Sequence, residues 1–263
     1  MQSGWDVGEP PLRAYVTGEV CIAAGERLLS ERGLPGPLGR HLLAFLVAQH
    51  QRAVSHAELA DELWDGSPPR AWPASLKPLA SRTRAALSAA GFDGAALLVG
   101  APGVYRFRLP AGGWVDLDAA VESIHVAEAS FAHGALDAAA REAFVSRLIS
   151  VRPLLPGRTG PWLEQCRREL TDVRLRALEC SARVHIARGH GAQAAREAER
   201  AVALAPLREP GWRLLMDAHA AAGDIASALE AYDRCRVTLA EALGVGPSPA
   251  TRESHESLLA RAG

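Results

Sequence analysis

Five positions in the second half of the chain recur at a displacement of 34 residues: Leu178 with Trp212, Gly189 with Gly223, Ala194 with Ala228, Ala198 with Tyr232, and Ala201 with Cys235. That is the period of tetratricopeptide helix pairs, units that cannot bury their apolar faces singly and so must stack. Gly189 and Gly223 fall at the turn inside each pair, where a residue without Cβ permits positive φ. Ala194 and Ala228 leave room for close helix approach. Pro206 closes the first unit, but Ala240 stands at the equivalent place in the second, so the repeat is imperfect there. Two units do not make a continuous core, and residues 116–175 are expected to supply further helices.

Before residue 110 the pattern is different. Residues 12–30 alternate in short apolar groups broken at Gly18 and Gly25, which predicts three short antiparallel strands. Leu38, Leu42, Phe45 and Leu46 then follow helical spacing after the breakers between Gly33 and Pro37. Ser55 and Glu58 form an S-x-x-E capping box ahead of Leu59 and Leu63, and Asp65-Gly66-Ser67-Pro68-Pro69 ends that second helix. A third helix carries Leu76, Ala80, Thr83 and Leu87 on one side and ends near Gly91. Leu97–Leu109 alternates around Gly100-Ala101-Pro102-Gly103, as a β-hairpin does. Three helices followed by a hairpin is the order of a winged helix-turn-helix.

The formal net charge is only -1, with 11 basic and 10 acidic residues up to position 110 and 18 and 20 beyond it, so binding to a polyanion needs a focused patch. One exists: from Gly66 to Phe92 there are Arg70, Lys77, Arg82 and Arg84 and no Asp or Glu. At about 100° per residue, the face opposite the apolar stripe carries Lys77, Pro78, Ser81 and Ala85, with Arg82 and Arg84 towards its flanks. Arg82 is the first candidate for a bidentate guanine contact, and Lys77, Ser81 and Arg84 for phosphate contacts that fix register.

Other chemistry finds little support. Cysteines 21, 166, 180 and 235 have no metal-like spacing and are expected to be small buried thiols in a reducing cytoplasm. His185 and His190 stand five apart, not the three or four that align two ligands on a helix, so no metal is expected. There is no G-x-S-x-G and no recognisable pairing of nucleophile and base, so an enzyme is not expected, nor is any cofactor. Trp162 and Trp212 lie in helical apolar patterns and are expected to anchor cores. No signal peptide and no membrane span is expected, and a cytoplasmic location is expected, associated with the nucleoid if the chain binds DNA.

Several stretches, taken in order, resemble one family. Leu59-Ala60-Asp61-Glu62-Leu63-Trp64 with Pro68-Pro69, Ser81-Arg82-Thr83-Arg84, and Pro102-Gly103-Val104-Tyr105-Arg106-Phe107 are similar to the DNA-binding half of the Streptomyces antibiotic regulatory protein type of activators. Leu155-Pro156-Gly157 with Trp162, Ala205-Pro206-Leu207-Arg208-Glu209, and Glu241-Ala242-Leu243-Gly244-Val245 followed by Pro247-Ser248-Pro249 resemble the bacterial transcriptional activation domain that accompanies it. The similarity runs from about residue 12 to about 259. It implies an α+β winged helix-turn-helix domain of the OmpR-like kind over residues 12–110, behind an N-terminal extension (1–11), and an all-α tetratricopeptide-like domain over 111–263. It further implies double-stranded promoter DNA as partner, with RNA polymerase or a second copy of the chain as protein contacts. Larger members add an ATPase module; no GxxxxGK[ST] occurs here, and nucleotide gating is not expected.

Two departures stand out. Pro78 inside the third helix would cost about 3 kcal/mol if the helix began at Pro73, so a start with Ser75 as N-cap is expected. Gly100 and Ala101 stand in place of the polar or basic residues usual in the family at the wing, so wing contacts are expected to be weaker or to be carried by Arg106 and Arg108. They keep a second reading open, a helical-repeat adaptor whose winged helix binds DNA weakly or not at all and whose basic patch meets a protein partner; a third is a regulator whose repeat groove senses a small ligand or peptide.

Overall fold

The computed structural model describes residues 10–262. Most of the expected N-terminal extension, residues 1–9, lies outside the described residues. The expected boundary at residue 110 follows a change of periodicity, whereas the compact units follow packing. One contains the chain up to Ala120 together with Ile149–Leu170; the other contains Val121–Leu148 and the chain from Thr171 onward.

The first unit opens with the three expected strands, β1 (Arg13–Tyr15), β2 (Cys21–Ala24) and β3 (Arg27–Leu29), antiparallel with Ala14 opposite Ile22 and Ala23 opposite Leu28. Next come α1 (Gly36–Ala48), β4 (Val54–Ser55), α2 (His56–Leu63), α3 (Trp72–Ala89), α4 (Gly94–Leu97) and the hairpin β5 (Leu98–Ala101) and β6 (Val104–Phe107). β7 (Trp114–Val115) runs parallel to β1, giving the order β3-β2-β1-β7, and a second sheet has the order β4-β6-β5. Neither two-residue strand was legible in the sequence: both are held by partners about 50 to 100 residues away rather than by a pattern of their own.

The core of this unit places Ile22, Leu42, Leu43, Phe45, Leu46, Leu59, Leu76, Leu87 and Phe107 out of solvent. Leu154, Leu155, Leu163, Cys166 and Leu170 belong to the same cluster. Each buried leucine contributes about 1.5–3 kcal/mol, so the later segment is a substantial part of the unit. Polar bonds register it: the Gly18 amide donates to the Pro153 carbonyl at 2.7 Å, and the buried Asp116 carboxylate accepts from the Val16 and Thr17 amides and the Thr17 hydroxyl at 2.7–3.1 Å.

The helices that follow are α5 (Asp116–Ala132), α6 (Leu136–Ser150), α7 (Pro161–Ala187), α8 (Gly191–Leu204), α9 (Glu209–Ala221), α10 (Ile225–Leu243) and α11 (Pro249–Ala262). The repeat stands as read. Gly189 and Gly223 occupy the α7–α8 and α9–α10 turns with φ of 73° and 80°, and Ala194 and Ala228 are fully buried. Trp212 is buried with its indole N–H donating to the Pro206 carbonyl at 2.8 Å. Ala240 lies inside α10, which closes instead on the left-handed Gly244. Trp162 also fulfils its anchor role, its ring 5.1 Å from that of Phe45.

Candidate nucleic-acid interface

α2 starts where its capping residue places it: the Ser55 hydroxyl accepts from the Glu58 amide at 3.1 Å. The Glu58 carboxylate does not complete the box but pairs with Arg52, whose guanidinium holds that carboxyl below the usual carboxylate range. Asp65 and Gly66 end the helix, both at positive φ, a conformation that a short polar side chain or glycine accepts. Behind this turn Glu62, buried, accepts from the Trp162 amide at 2.8 Å and bonds His41 Nε2 at 2.9 Å. Arg158 donates to His41 Nδ1 at 3.3 Å and to the Leu63 carbonyl at 2.6 Å, so α1 and α2 are tied to the strand of chain before α7.

α3 corrects one expectation. It starts at Trp72, not after Ser75, and Pro78 lies well inside it. Pro73 sits in the first turn, where no amide is required, and Trp72 packs against the core. Ser75 does not cap; its hydroxyl donates back to the Ala71 carbonyl at 3.5 Å. Pro78 is exposed, so the Ala74 carbonyl it leaves without an amide donor is on the side open to water.

Leu76, Leu79, Ala80, Thr83 and Leu87 are the buried face of α3, and the Thr83 hydroxyl is satisfied by donating to the Leu79 carbonyl at 3.0 Å. Lys77, Pro78, Ser81, Arg82 and Ala85 are exposed. Among the described residues no ion pair or side-chain hydrogen bond engages Lys77 or Arg82, and Arg70, just before α3, is exposed as well. Arg84 is placed differently. It is half-buried, its Nε donates to the Leu98 carbonyl at 2.6 Å, and its guanidinium carbon lies 5.6 Å from the centre of the Tyr105 ring.

The hairpin turns at Pro102-Gly103, with Gly103 at φ 77°. Arg106 and Arg108 are both exposed, but Arg106 reaches back to the His50 and Gln51 carbonyls at 3.4 and 3.2 Å. Two participants, Tyr105 and His56, were not singled out from the sequence: their rings stack at 4.8 Å, and the His56 amide donates to the Gly103 carbonyl at 2.9 Å. The signal was Gly100. A glycine inside a strand marks a close approach, and a Cβ there would stand 2.7 Å from Arg84 Nη2 and 3.0 Å from Tyr105 Cε1.

Residues 115–259 match the model of the bacterial transcriptional activator domain. The chain is 31% identical over 262 residues to the transcriptional regulatory protein MoaR1 of Mycobacterium tuberculosis, covering 94% of this chain and 82% of MoaR1. The chain belongs to the Streptomyces antibiotic regulatory protein type of activators. A member of this family, the regulatory protein AfsR of Streptomyces coelicolor, is 33% identical over 251 residues, 95% of this chain but 23% of AfsR. The transcriptional regulatory protein EmbR of M. tuberculosis is 31% identical over 232 residues, 86% of this chain and 60% of EmbR. The chain therefore spans a minor part of AfsR and less than two thirds of EmbR. The solved structure of M. tuberculosis EmbR in complex with low affinity phosphopeptide is similar with a TM-score of 0.78 at 27% identity, over 97% of this chain and 66% of that chain. In this chain, which the EmbR structure matches along almost its whole length, a winged-helix region precedes an all-α one. Among the described residues no set of three His, Cys, Asp or Glu side chains is placed to hold a metal ion, and no helix is long and apolar enough to cross a membrane.

Proposed function

We propose that the chain activates transcription by docking α3 in the major groove of promoter DNA, with the β5–β6 hairpin beside it, while the helical repeats make protein contacts with RNA polymerase or a second copy of the chain. The observation that carries this reading is the exposed face of α3: Lys77, Ser81 and Arg82 lie together on a helix whose flanking residues, from Gly66 to Phe92, include no carboxylate to neutralise them. Arg82 makes the base-edge contact, as a planar guanidinium can bond guanine O6 and N7 together. Lys77 and Ser81 contact phosphates, with Arg70, Arg106 and Arg108 adding charge at the edges. The all-α repeats offer a cleft of about 490 Å³ floored by Trp212 and Val202 and rimmed by Glu230 and Asp233, a shape suited to a protein segment.

The test is a mobility-shift salt series on duplexes enriched from a random pool by this chain. Arg82→Ala is expected to lower discrimination between enriched and scrambled duplexes by about 1–3 kcal/mol. Lys77→Ala should weaken both alike and flatten the slope of log affinity against log salt by about 0.9. Enriched duplexes that bind both variants as they bind the parent chain would remove α3 from the interface.

A further inference from the structure

Of the basic side chains on α3, only Arg84 is drawn into the protein. One side chain there reaches both strands of the hairpin: its Nε holds the Leu98 carbonyl at the start of β5, and its guanidinium lies against the Tyr105 ring of β6. A charge-assisted hydrogen bond and a cation–π contact on a half-buried group are among the stronger polar attachments available to a surface helix. β5 is thinned to admit it, because Gly100 pairs opposite Tyr105 and any Cβ at that position would strike both Arg84 and Tyr105. Tyr105 itself is 6% exposed and carries His56, the first residue of α2, stacked on its ring. The start of α2, the middle of α3 and both hairpin strands thus converge on one aromatic ring.

We infer that Arg84 is a positioning residue: it fixes the hairpin against α3, so that helix and hairpin meet DNA at a preset spacing, and it gives up a phosphate contact of its own to do so. The inference rests on the DNA-docking reading above and adds to it the division of labour between two arginines of one helix. Arg82 reads, and Arg84 aligns. It also accounts for the bare wing, since a side chain at position 100 would push the guanidinium away from the place it holds against Tyr105.

Gly100→Ala separates this role from a direct contact, because it removes no charge yet displaces the Arg84 guanidinium. Affinity for enriched duplexes is measured for the parent chain, Arg84→Ala, Gly100→Ala and the double variant, with hydrogen exchange followed on the free chains. Each single variant is expected to weaken binding about tenfold, the effect of losing one charge-assisted bond. The double variant should bind no worse than the weaker single one, because with Arg84 shortened the new methyl meets only the tyrosine ring. Exchange at β5 and β6 amides should rise in both single variants while the α1 amides keep their protection, which shows that the unit is still folded. Parent-like binding by Gly100→Ala, together with a salt slope lowered by about 0.9 in Arg84→Ala alone, would make Arg84 a phosphate contact and overturn the inference. Unchanged hairpin exchange in Arg84→Ala would overturn it as well. If the chain enriches no duplex, the DNA reading falls first, an outcome distinct from either of these.

Discussion

Replacing Glu62 by alanine removes the acceptor of two donors, the buried His41 ring and the half-buried Trp162 amide. The carboxylate bonds His41 Nε2 at 2.9 Å and the Trp162 amide at 2.8 Å, with the His41 and Glu62 side chains 0% and 3% exposed. Because His41 Nδ1 accepts from Arg158, Nε2 carries the hydrogen that points at Glu62. Loss of the carboxylate orphans both donors, at about 1–3 kcal/mol each, so the expected destabilisation is about 3–5 kcal/mol. Glu62→Gln keeps one acceptor oxygen but turns an NH₂ towards the second donor, so it should cost about 1–3 kcal/mol. The amide cannot swing aside, since Gly160 packs on the Glu62 side chain with no room even for a Cβ. Urea unfolding followed by tryptophan fluorescence and circular dichroism reads the change, and with a slope of about 2 kcal/mol/M the alanine midpoint should fall by about 1.5–2.5 M. An alanine variant within about 1 kcal/mol of the parent, or a glutamine variant as costly as alanine, would refute the assignment of this network as the tie between α1, α2 and the segment before α7.

Gly191→Ala would place a methyl on the Ala222 backbone nitrogen, and as backbone cannot yield as a side chain does, a loss of at least about 1–3 kcal/mol is expected in thermal melts; a parent-like melt would contradict the close packing of α8 on the α9–α10 turn. Two carboxylates should respond to acid with opposite sign. Arg176, bonded at 2.6 and 2.9 Å, holds Glu128 below its ordinary value, so this pair stabilises above the unfolded carboxyl value and the contribution is lost as pH falls through the folded one. Burial raises Asp116 despite its bonds from Thr17 and Val16, so the folded chain takes up that proton first and the cost of its charge is relieved on acidification. Urea midpoints against pH should therefore show a shallower acid limb in Glu128→Gln and a steeper one in Asp116→Asn; parent-like limbs in both would refute the assignment. Burial pushes the Cys166 thiol up to about 12, so a disulfide reagent near neutral pH should modify it only after denaturant is added; modification of the native chain at that site would show the core of the first unit to be open.

What the residues decided alone is local. The Ser55 cap, the Gly103 turn and the left-handed glycines at 189 and 223 each depend on neighbours a few positions away, the 34-residue period repeats one such local pattern, and the fold keeps all of them. The basic face of α3 was legible for the same reason, since helical spacing alone fixes which side chains turn away from Leu76, Ala80 and Leu87. Packing over long separations decided the rest. It started α3 a turn early because Trp72 had a core to join, completed the first unit with Leu154, Leu155 and Leu163, and satisfied Glu62 with residues about 20 and 100 positions distant. It also separated two arginines that the sequence places alike at the flanks of the basic face, leaving Arg82 exposed and drawing Arg84 onto Tyr105. A sequence states which groups carry charge or hydrogen, but whether a given group faces solvent or a partner is set by what the folded chain brings beside it, and that depends on every other segment at once.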